Sequence, residues 1–309
     1  MIYSIIDVGS NTIRLNIYSY KNKLVTSLLH KKTMAGLAGY VVDGYLSPKG
    51  IERACTIISN YKSIVENFQI QNVFVFATAS LRNIVNTDEV VWNIKERTGF
   101  PVDVIAGEEE AKLGFIGASH ALTVKDGILV DIGGGSTEIT TYEDAKIIKA
   151  VSLPIGSLSL YSKYVSKLFP KDSEKEAMKQ AVLLELTKLG ETTLKEYKIL
   201  CGVGGSIRAT KKLQNNLIFD NETNEFEVAT ISQLLNLLQK VDKKTLRKVL
   251  QVVPDRVHTI IPGMIILQTI ATYYGCETIH VSNYGVREGY LYTRVLKEGT
   301  DYGKNEEKI

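Results

Sequence analysis

The stretch Asp131-Ile132-Gly133-Gly134-Gly135-Ser136-Thr137-Glu138 decides the fold. Gly127 to Val130 before it is a short apolar run of strand type, and Ile139 to Tyr142 after it is β-branched and aromatic. The pattern predicts strand, tight glycine turn, strand. Three consecutive glycines permit positive φ and let another group approach a bare row of N–H groups, whose usual guest is a phosphate. Asp131 ends the first strand and can hold a metal ion, directly or through water; Glu138 begins the second strand near the same mouth. Taken alone, the stretch also reads as a glycine-rich hairpin with solvated carboxylates.

A second copy decides between these readings. Near the N-terminus stands Ile5-Ile6-Asp7-Val8-Gly9-Ser10-Asn11-Thr12-Ile13-Arg14-Leu15. Setting Asp7 on Asp131 gives an offset of 131 − 7 = 124. Gly9 then falls on Gly133, Ser10 on Gly134, Asn11 on Gly135, Thr12 on Ser136 and Arg14 on Glu138. Both copies continue into a strand, a turn and a third strand-like run. One β-meander therefore occurs twice, which predicts two similar domains whose phosphate loops face each other across a cleft. Residues 1–123 form the first, residues 124–292 the second, and a helix at about residues 293–309 is expected to pack back on the first.

The 309 residues suit two domains, and 44% hydrophobic with 23% charged residues is an ordinary globular composition. A net charge of +3 with no basic block argues against nucleic acid as a partner. Cys55, Cys201 and Cys276 are scattered and form no CxxC pair, so buried free thiols are expected rather than a disulfide framework or a zinc site. No signal-peptide pattern opens the chain, and Ile260 to Tyr274 is too short and interrupted for a membrane span. These features predict a cytoplasmic protein with no membrane partner.

Strands alternate with helices after each meander, predicting a mixed α/β sheet in both halves. Arg82 follows the strand Val73–Ala77, where open α/β sheets place ligands, and its guanidinium can grip a phosphate in bidentate fashion. Glu108, Glu109 and Glu110 open a helix after the next strand. Acidic residues favour a first helical turn in any case, and three consecutive residues spread around the axis, so one or two at most can face a site. One that does can act as a general base on water. Gly202-Val203-Gly204-Gly205-Ser206-Ile207-Arg208 is a further strand–glycine–helix junction suited to an anion or to close packing. The last helix, Gly285 to Leu296, is expected to expose Glu288 and Arg294.

These segments, with Ala77 to Asn83, Gly107 to Leu113 and Ser282 to Gly289, follow in the order of the exopolyphosphatase / guanosine-pentaphosphate phosphohydrolase (Ppx/GppA) family. The chain resembles a short member of it, ending too early to hold the C-terminal HD-like domain of longer relatives. The resemblance implies an α/β fold of two ribonuclease-H-like domains, as in actin, sugar kinases and Hsp70, flanking a central cleft. It implies an exopolyphosphatase that releases orthophosphate from the end of inorganic polyphosphate. Glu110 would be the catalytic base on water. Asp131 and Glu138, with Asp7 by the repeat, would hold Mg2+ or another divalent cation. Ser10, Asn11, Thr12, Arg82, Gly133, Gly134, Gly135, Ser136, Gly204, Gly205 and Arg208 would bind phosphates. The family further implies a homodimer.

The chain departs from the family pattern at Ser159, where arginine is common, at Asn283, where aspartate is common, and around His258, where an acidic residue is common. These departures bear on substrate choice. The alternative reading is a pppGpp 5′-phosphohydrolase with the same fold and chemistry. A third, of another class, is an ATP-binding actin-like scaffold or sugar kinase. Without the extra domain, a preference for short polyphosphates is expected.

Overall fold

The structure is a computed structural model describing residues 1–121, 124–190, 195–219, 223–239 and 243–297. The chain divides into two compact units, Met1–Gly107 and Glu108–Ile309. The first contains β1 (Ile2–Val8), β2 (Thr12–Lys21), β3 (Leu24–Met34), β4 (Val41–Val42), β5 (Tyr45–Leu46), α1 (Pro48–Asn67), β6 (Val73–Ala77), α2 (Ala79–Arg82), α3 (Thr87–Thr98) and β7 (Val102–Val104). Helix α4 (Gly107–Ser119) opens the second. It is followed by β8 (Gly127–Ile132), β9 (Thr137–Glu143), β10 (Lys146–Leu153), α5 (Ser157–Tyr164), α6 (Asp172–Thr187), β11 (Ile199–Val203) and α7 (Gly204–Leu217). Then come β12 (Glu225–Glu227), α8 (Ala229–Leu237), α9 (Lys243–Val252), α10 (Ile260–Tyr273), β13 (Thr278–Val281) and α11 (Val286–Tyr290).

The main sheet of the first unit has the order β3-β2-β1-β6-β7, and that of the second β10-β9-β8-β11-β13-β12. In both, an antiparallel meander is extended by parallel strands, the ribonuclease-H-like arrangement. The repeat holds residue by residue. Asp7 stands opposite Arg14 across β1 and β2, and Asp131 opposite Glu138 across β8 and β9. The extra strand β12 was not expected: three residues on an antiparallel edge carry no periodic signal.

In the first unit, α1 and α3 cover the sheet face bearing Ile6, Val8, Ile13 and Leu15. Helix α1 starts as its sequence predicts. Ser47 Oγ accepts from Gly50 N at 3.4 Å, and Pro48 occupies the first turn. Ile51, Ala54, Cys55, Ile58, Tyr61 and Val65 form its buried stripe. Tyr61 satisfies its hydroxyl inside by donating to the Ile13 carbonyl at 2.9 Å.

In the second unit the two sheet faces do different work. Ile128, Val130, Ile132, Ile139 and Leu200 pack on α6, α7 and α10, forming the larger core. The opposite face carries Leu129, Tyr142, Cys201 and Val203, and α4 lies over it through Phe115 and Ala118. Asp131 and Glu138 belong to this α4-covered face, because side chains alternate along a strand. Helix α4 also meets α11 closely: a Cβ on Gly289 would lie 1.9 Å from the Leu113 carbonyl oxygen.

The last helix differs from expectation. Helix α11 is five residues long and passes into a π-helical turn, Leu291–Val295. Glu288 is buried, and its Oε2 accepts from Gly285 N at 2.8 Å. The cause is the helix start, whose backbone N–H needs an acceptor. Arg294 pairs with Glu109 on the first turn of α4. The helix expected at about residues 293–309 falls mostly outside the described residues. No helix among the described residues is long and apolar enough to cross a membrane.

Candidate active site

The glycine loop of the second unit is held by its carbonyls. Gly133 N donates to Ser136 O at 2.9 Å, closing the turn. Gly133 O accepts from Ser157 N at 3.0 Å, and Gly134 O from Leu158 N and Ser159 N, both at 2.9 Å. These N–H groups are first-turn donors of α5 that have no partner within their own helix. With the carbonyls committed to α5, the N–H groups of Gly134, Gly135 and Ser136 have no acceptor among the described residues. They are a ready cradle for an oxyanion.

The loop of the first unit uses the same device. Gly9 N donates to Thr12 O at 3.1 Å, the counterpart of the Gly133–Ser136 bond. Ser10 O accepts from Ala38 N at 3.1 Å, and Asn11 O from Ala35 N and Gly36 N at 2.9 and 3.0 Å. Asn11 is buried and its Nδ2 has no acceptor among the described residues, as a donor awaiting an anion would be. Asp7 on the same unit meets Arg14 at 3.3 Å. Arg82 is half-buried and donates to the Ile105 carbonyl at 2.9 Å.

The glycines act differently from expectation. Gly133, Gly134 and Gly135 do not adopt positive φ. The steric demand for glycine falls instead on Gly156, where a Cβ would lie 2.4 Å from the Gly134 carbonyl carbon and oxygen. Positive φ occurs instead at Gly204, with φ +91, where a Cβ would lie 2.3 Å from Asp131 Oδ1. The second glycine junction thus seats itself against the first loop's aspartate. Gly205 is overlaid by the Arg256 guanidinium, 2.1 Å from where its Cβ would be. Arg208 stands half-buried on α7.

The three glutamates at the start of α4 diverge, as three consecutive helical residues must. Glu108 is exposed and pairs with Lys112 at 2.5 Å. Glu109 pairs with Arg294. Glu110 is buried, with 7% of its surface exposed. Thr140 fixes this orientation by donating to the Ala111 carbonyl at 3.1 Å. Thr140 lies two residues beyond Glu138 on β9, so both face α4.

Glu110, Asp131 and Glu138 therefore gather at one end of β8 and β9. Glu138 is 1% exposed, and Ser152 on β10 donates to its Oε1 at 2.7 Å. Burial first, then the Glu110 and Asp131 carboxylates, push the Glu138 carboxyl well above its usual range, against the hydroxyls of Ser136 and Ser152. A cation would relieve this repulsion. Among the described residues no three His, Cys, Asp or Glu side chains form a ligand set. One or two carboxylates completed by water and substrate phosphates is nevertheless the arrangement magnesium takes. Asp131 and Glu138 fit it.

Ser152, Ser157 and Arg256 were missed by sequence reading. Ser157 is buried and bonds Gly133 O through its hydroxyl at 3.1 Å as well as its N–H. Its place just after Gly156, at a helix start, was a usable signal. Arg256 follows a proline turn far along the chain, and nothing local marks it.

Residues 16–298 match the Ppx/GppA phosphatase family. The bifunctional 3-dehydroquinate synthase/phosphatase of Fusobacterium nucleatum is 31% identical over 294 residues, covering 90% of this chain and 44% of that protein. The chain thus spans less than half the length of that curated relative. The crystal structure of the Aquifex aeolicus Ppx/GppA family member superposes with a TM-score of 0.79 at 26% identity, covering 97% of this chain and 99% of that one. An exopolyphosphatase from Cytophaga hutchinsonii shares the fold, with a TM-score of 0.85 at 20% identity over 96% of this chain and 98% of that one. With the meander repeated at a constant offset and both glycine loops built alike, the chain belongs to the Ppx/GppA phosphatase family.

Proposed function

We propose that the protein is an exopolyphosphatase, hydrolysing the terminal phosphoanhydride of inorganic polyphosphate to release orthophosphate. The observation that carries this is a buried Glu110 gathered with Asp131 and Glu138 beside a glycine loop in which the N–H groups of Gly134, Gly135 and Ser136 have no acceptor among the described residues. Family membership supports a phosphatase whose activity depends on a divalent cation.

The end phosphate sits on the N–H groups of Gly134, Gly135 and Ser136, with Gly204, Gly205 and Arg208 as further anion contacts. Ser10, Asn11, Thr12 and Arg82 are phosphate contacts of the same kind on the first unit. Asp131 and Glu138 are the residues that would hold Mg2+, with Asp7 a further candidate. Such a cation, when bound, neutralises charge on the phosphoryl oxygens. Glu110 orients a water molecule and accepts its proton as the water oxygen bonds the terminal phosphorus. The bond from that phosphorus to the bridging oxygen breaks, and the shortened chain departs with the electron pair. Loop N–H dipoles stabilise the charge on the transferred group.

Hydrolysis of the 5′-terminal phosphate of pppGpp is the second reading, since it uses the same bond chemistry. Phosphate release from tripolyphosphate, long-chain polyphosphate and pppGpp, with and without Mg2+, tests both. Release from polyphosphate without any acceptor is expected. ATP binding with no release from any of the three would instead favour a scaffold or kinase.

A further inference from the structure

Helix α9 carries a feature separate from the glycine loops. Its sequence, Lys243-Lys244-Thr245-Leu246-Arg247-Lys248-Val249-Leu250-Gln251-Val252, is anchored by the buried Val249. Lys243, Lys244, Arg247 and Lys248 line a groove of about 900 Å³ whose walls include Leu217 and Leu237. No carboxylate lines it, and none of these four cations makes an ion pair among the described residues. Elsewhere on this unit Lys112, Lys175 and Lys188 each pair with an acid three or four residues earlier. The arrangement opposes helix formation. Lys243 and Lys244 stand in the first turn, at the positive end of the helix dipole. Lys243 with Arg247, and Lys244 with Lys248, are like-charge pairs four residues apart. Charge kept where it disfavours the helix points to a role outside folding.

We propose that this groove holds the distal length of a polyphosphate chain whose end occupies the glycine loops, an inference that rests on the function proposed above. Helix α7 starts at the Gly204 turn, against Asp131, and ends at Leu217 in the groove wall. Its 14 residues span about 20 Å at the rise of an α-helix. Helix α9 packs on α7 and leads through Pro254–Arg256 back to Gly205. Loop and groove are thus joined by two elements of one unit. The occupant is a polyanion by charge complementarity. Bare polyphosphate fits better than single-stranded nucleic acid, because among the described residues no aromatic side chain lines the groove to give base stacking a platform. Lysines suit a featureless chain, binding as point charges without fixed geometry. Grip then rises once the substrate is long enough to span loop and groove. That reverses the short-chain preference expected from the sequence.

The test compares the wild-type chain with a variant carrying Lys243→Gln, Lys244→Gln, Arg247→Gln and Lys248→Gln, and with Lys112→Gln as a surface control. Kinetics on tripolyphosphate and long-chain polyphosphate are measured beside fluorescence titrations with labelled long-chain polyphosphate and single-stranded RNA of equal charge. In the fourfold variant, KM and Kd for the long chain are expected to rise about tenfold, from the loss of several exposed charge contacts. Its salt dependence flattens, while tripolyphosphate kinetics stay at wild type. Unchanged long-chain binding would overturn the proposal, as would RNA binding more tightly than polyphosphate. If wild type releases no phosphate yet binds the long chain through these four residues, the reading of the active site fails and the groove stands.

Discussion

Asp131 and Glu138 stand directly opposite each other on antiparallel β8 and β9, in the register that sets Asp7 opposite Arg14 on β1 and β2. The repeat keeps the aspartate and changes its partner from cation to carboxylate. In the first unit the aspartate's charge is answered within the fold by Arg14, at 3.3 Å. In the second, two facing acids lie beside a third, Glu110, and Glu138 is driven toward its protonated form. One copy of the meander sets acid against base, and the other sets acid against acid.

Glu138→Gln is therefore expected to stabilise the protein without divalent cation while removing the cation's effect. The ordinary carboxyl value is 4.5, and the folded value lies well above it. The stability contributed by the protonated form is fully present below the ordinary value and is lost as pH rises through the folded one. The gain from glutamine is thus largest at neutral and alkaline pH, on the order of a few degrees in Tm. Thermal melts at pH 5 and 8, with and without Mg2+, check this. A Tm equal to wild type at pH 8, or an undiminished shift on adding Mg2+, would count against it.

Gly204→Ala meets two obstacles at once. Its φ of +91 is unfavourable for alanine, and the new methyl would press on Asp131 Oδ1 at 2.3 Å. A loss of about 1–3 kcal/mol in urea unfolding is expected from the strain. Displacing Asp131 also raises the Mg2+ concentration needed for half-maximal activity. Wild-type values for both quantities would show that the Gly204 turn does not position Asp131.

The cysteines are sealed thiols. Burial pushes Cys201 and Cys276 up to about 12 from an ordinary 9.0, and raises Cys55 as well. A thiol reagent at pH 8 should label the native protein only as fast as it opens, and label three thiols promptly in denaturant. Below pH 9 the thiol form suits folded and unfolded chains alike. As pH rises from 9 toward 12 the unfolded chain loses these protons first and native stability falls. Rapid labelling of Cys201 in native buffer would contradict the buried placement.

Much of this was legible in the sequence because the decisive pattern is local. Asp7 and Gly9 against Asp131 and Gly133 are hairpin residues, and a hairpin's geometry is set by its own turn. The same locality placed Ser47 and Pro48 at the start of α1. What escaped depends on packing between distant segments. Glu108, Glu109 and Glu110 are chemically alike, so the family resemblance and not the residues themselves named Glu110, and its burial depends on how α4 packs on β9, where Thr140 bonds the Ala111 carbonyl. The loop glycines were read as conformational, but none has positive φ, and the tight approach is made by Gly156 at the start of α5, 20 residues beyond the turn's end at Ser136. Glu288 was read as exposed on helical spacing, but the sharp entry to α11 turns it inward as a cap. Arg256 lies 51 residues beyond Gly205, the glycine it covers.

The central claim is that Glu110 activates the attacking water, and Glu110→Gln tests it most directly. Phosphate release from polyphosphate is compared between wild type and variant, with Mg2+ and substrate saturating, and binding of the same polyphosphate is measured in parallel. The account predicts a fall in kcat on the order of 10²–10⁴-fold with binding retained, since glutamine keeps the shape of the side chain and loses the base. Near-wild-type turnover would contradict the assignment.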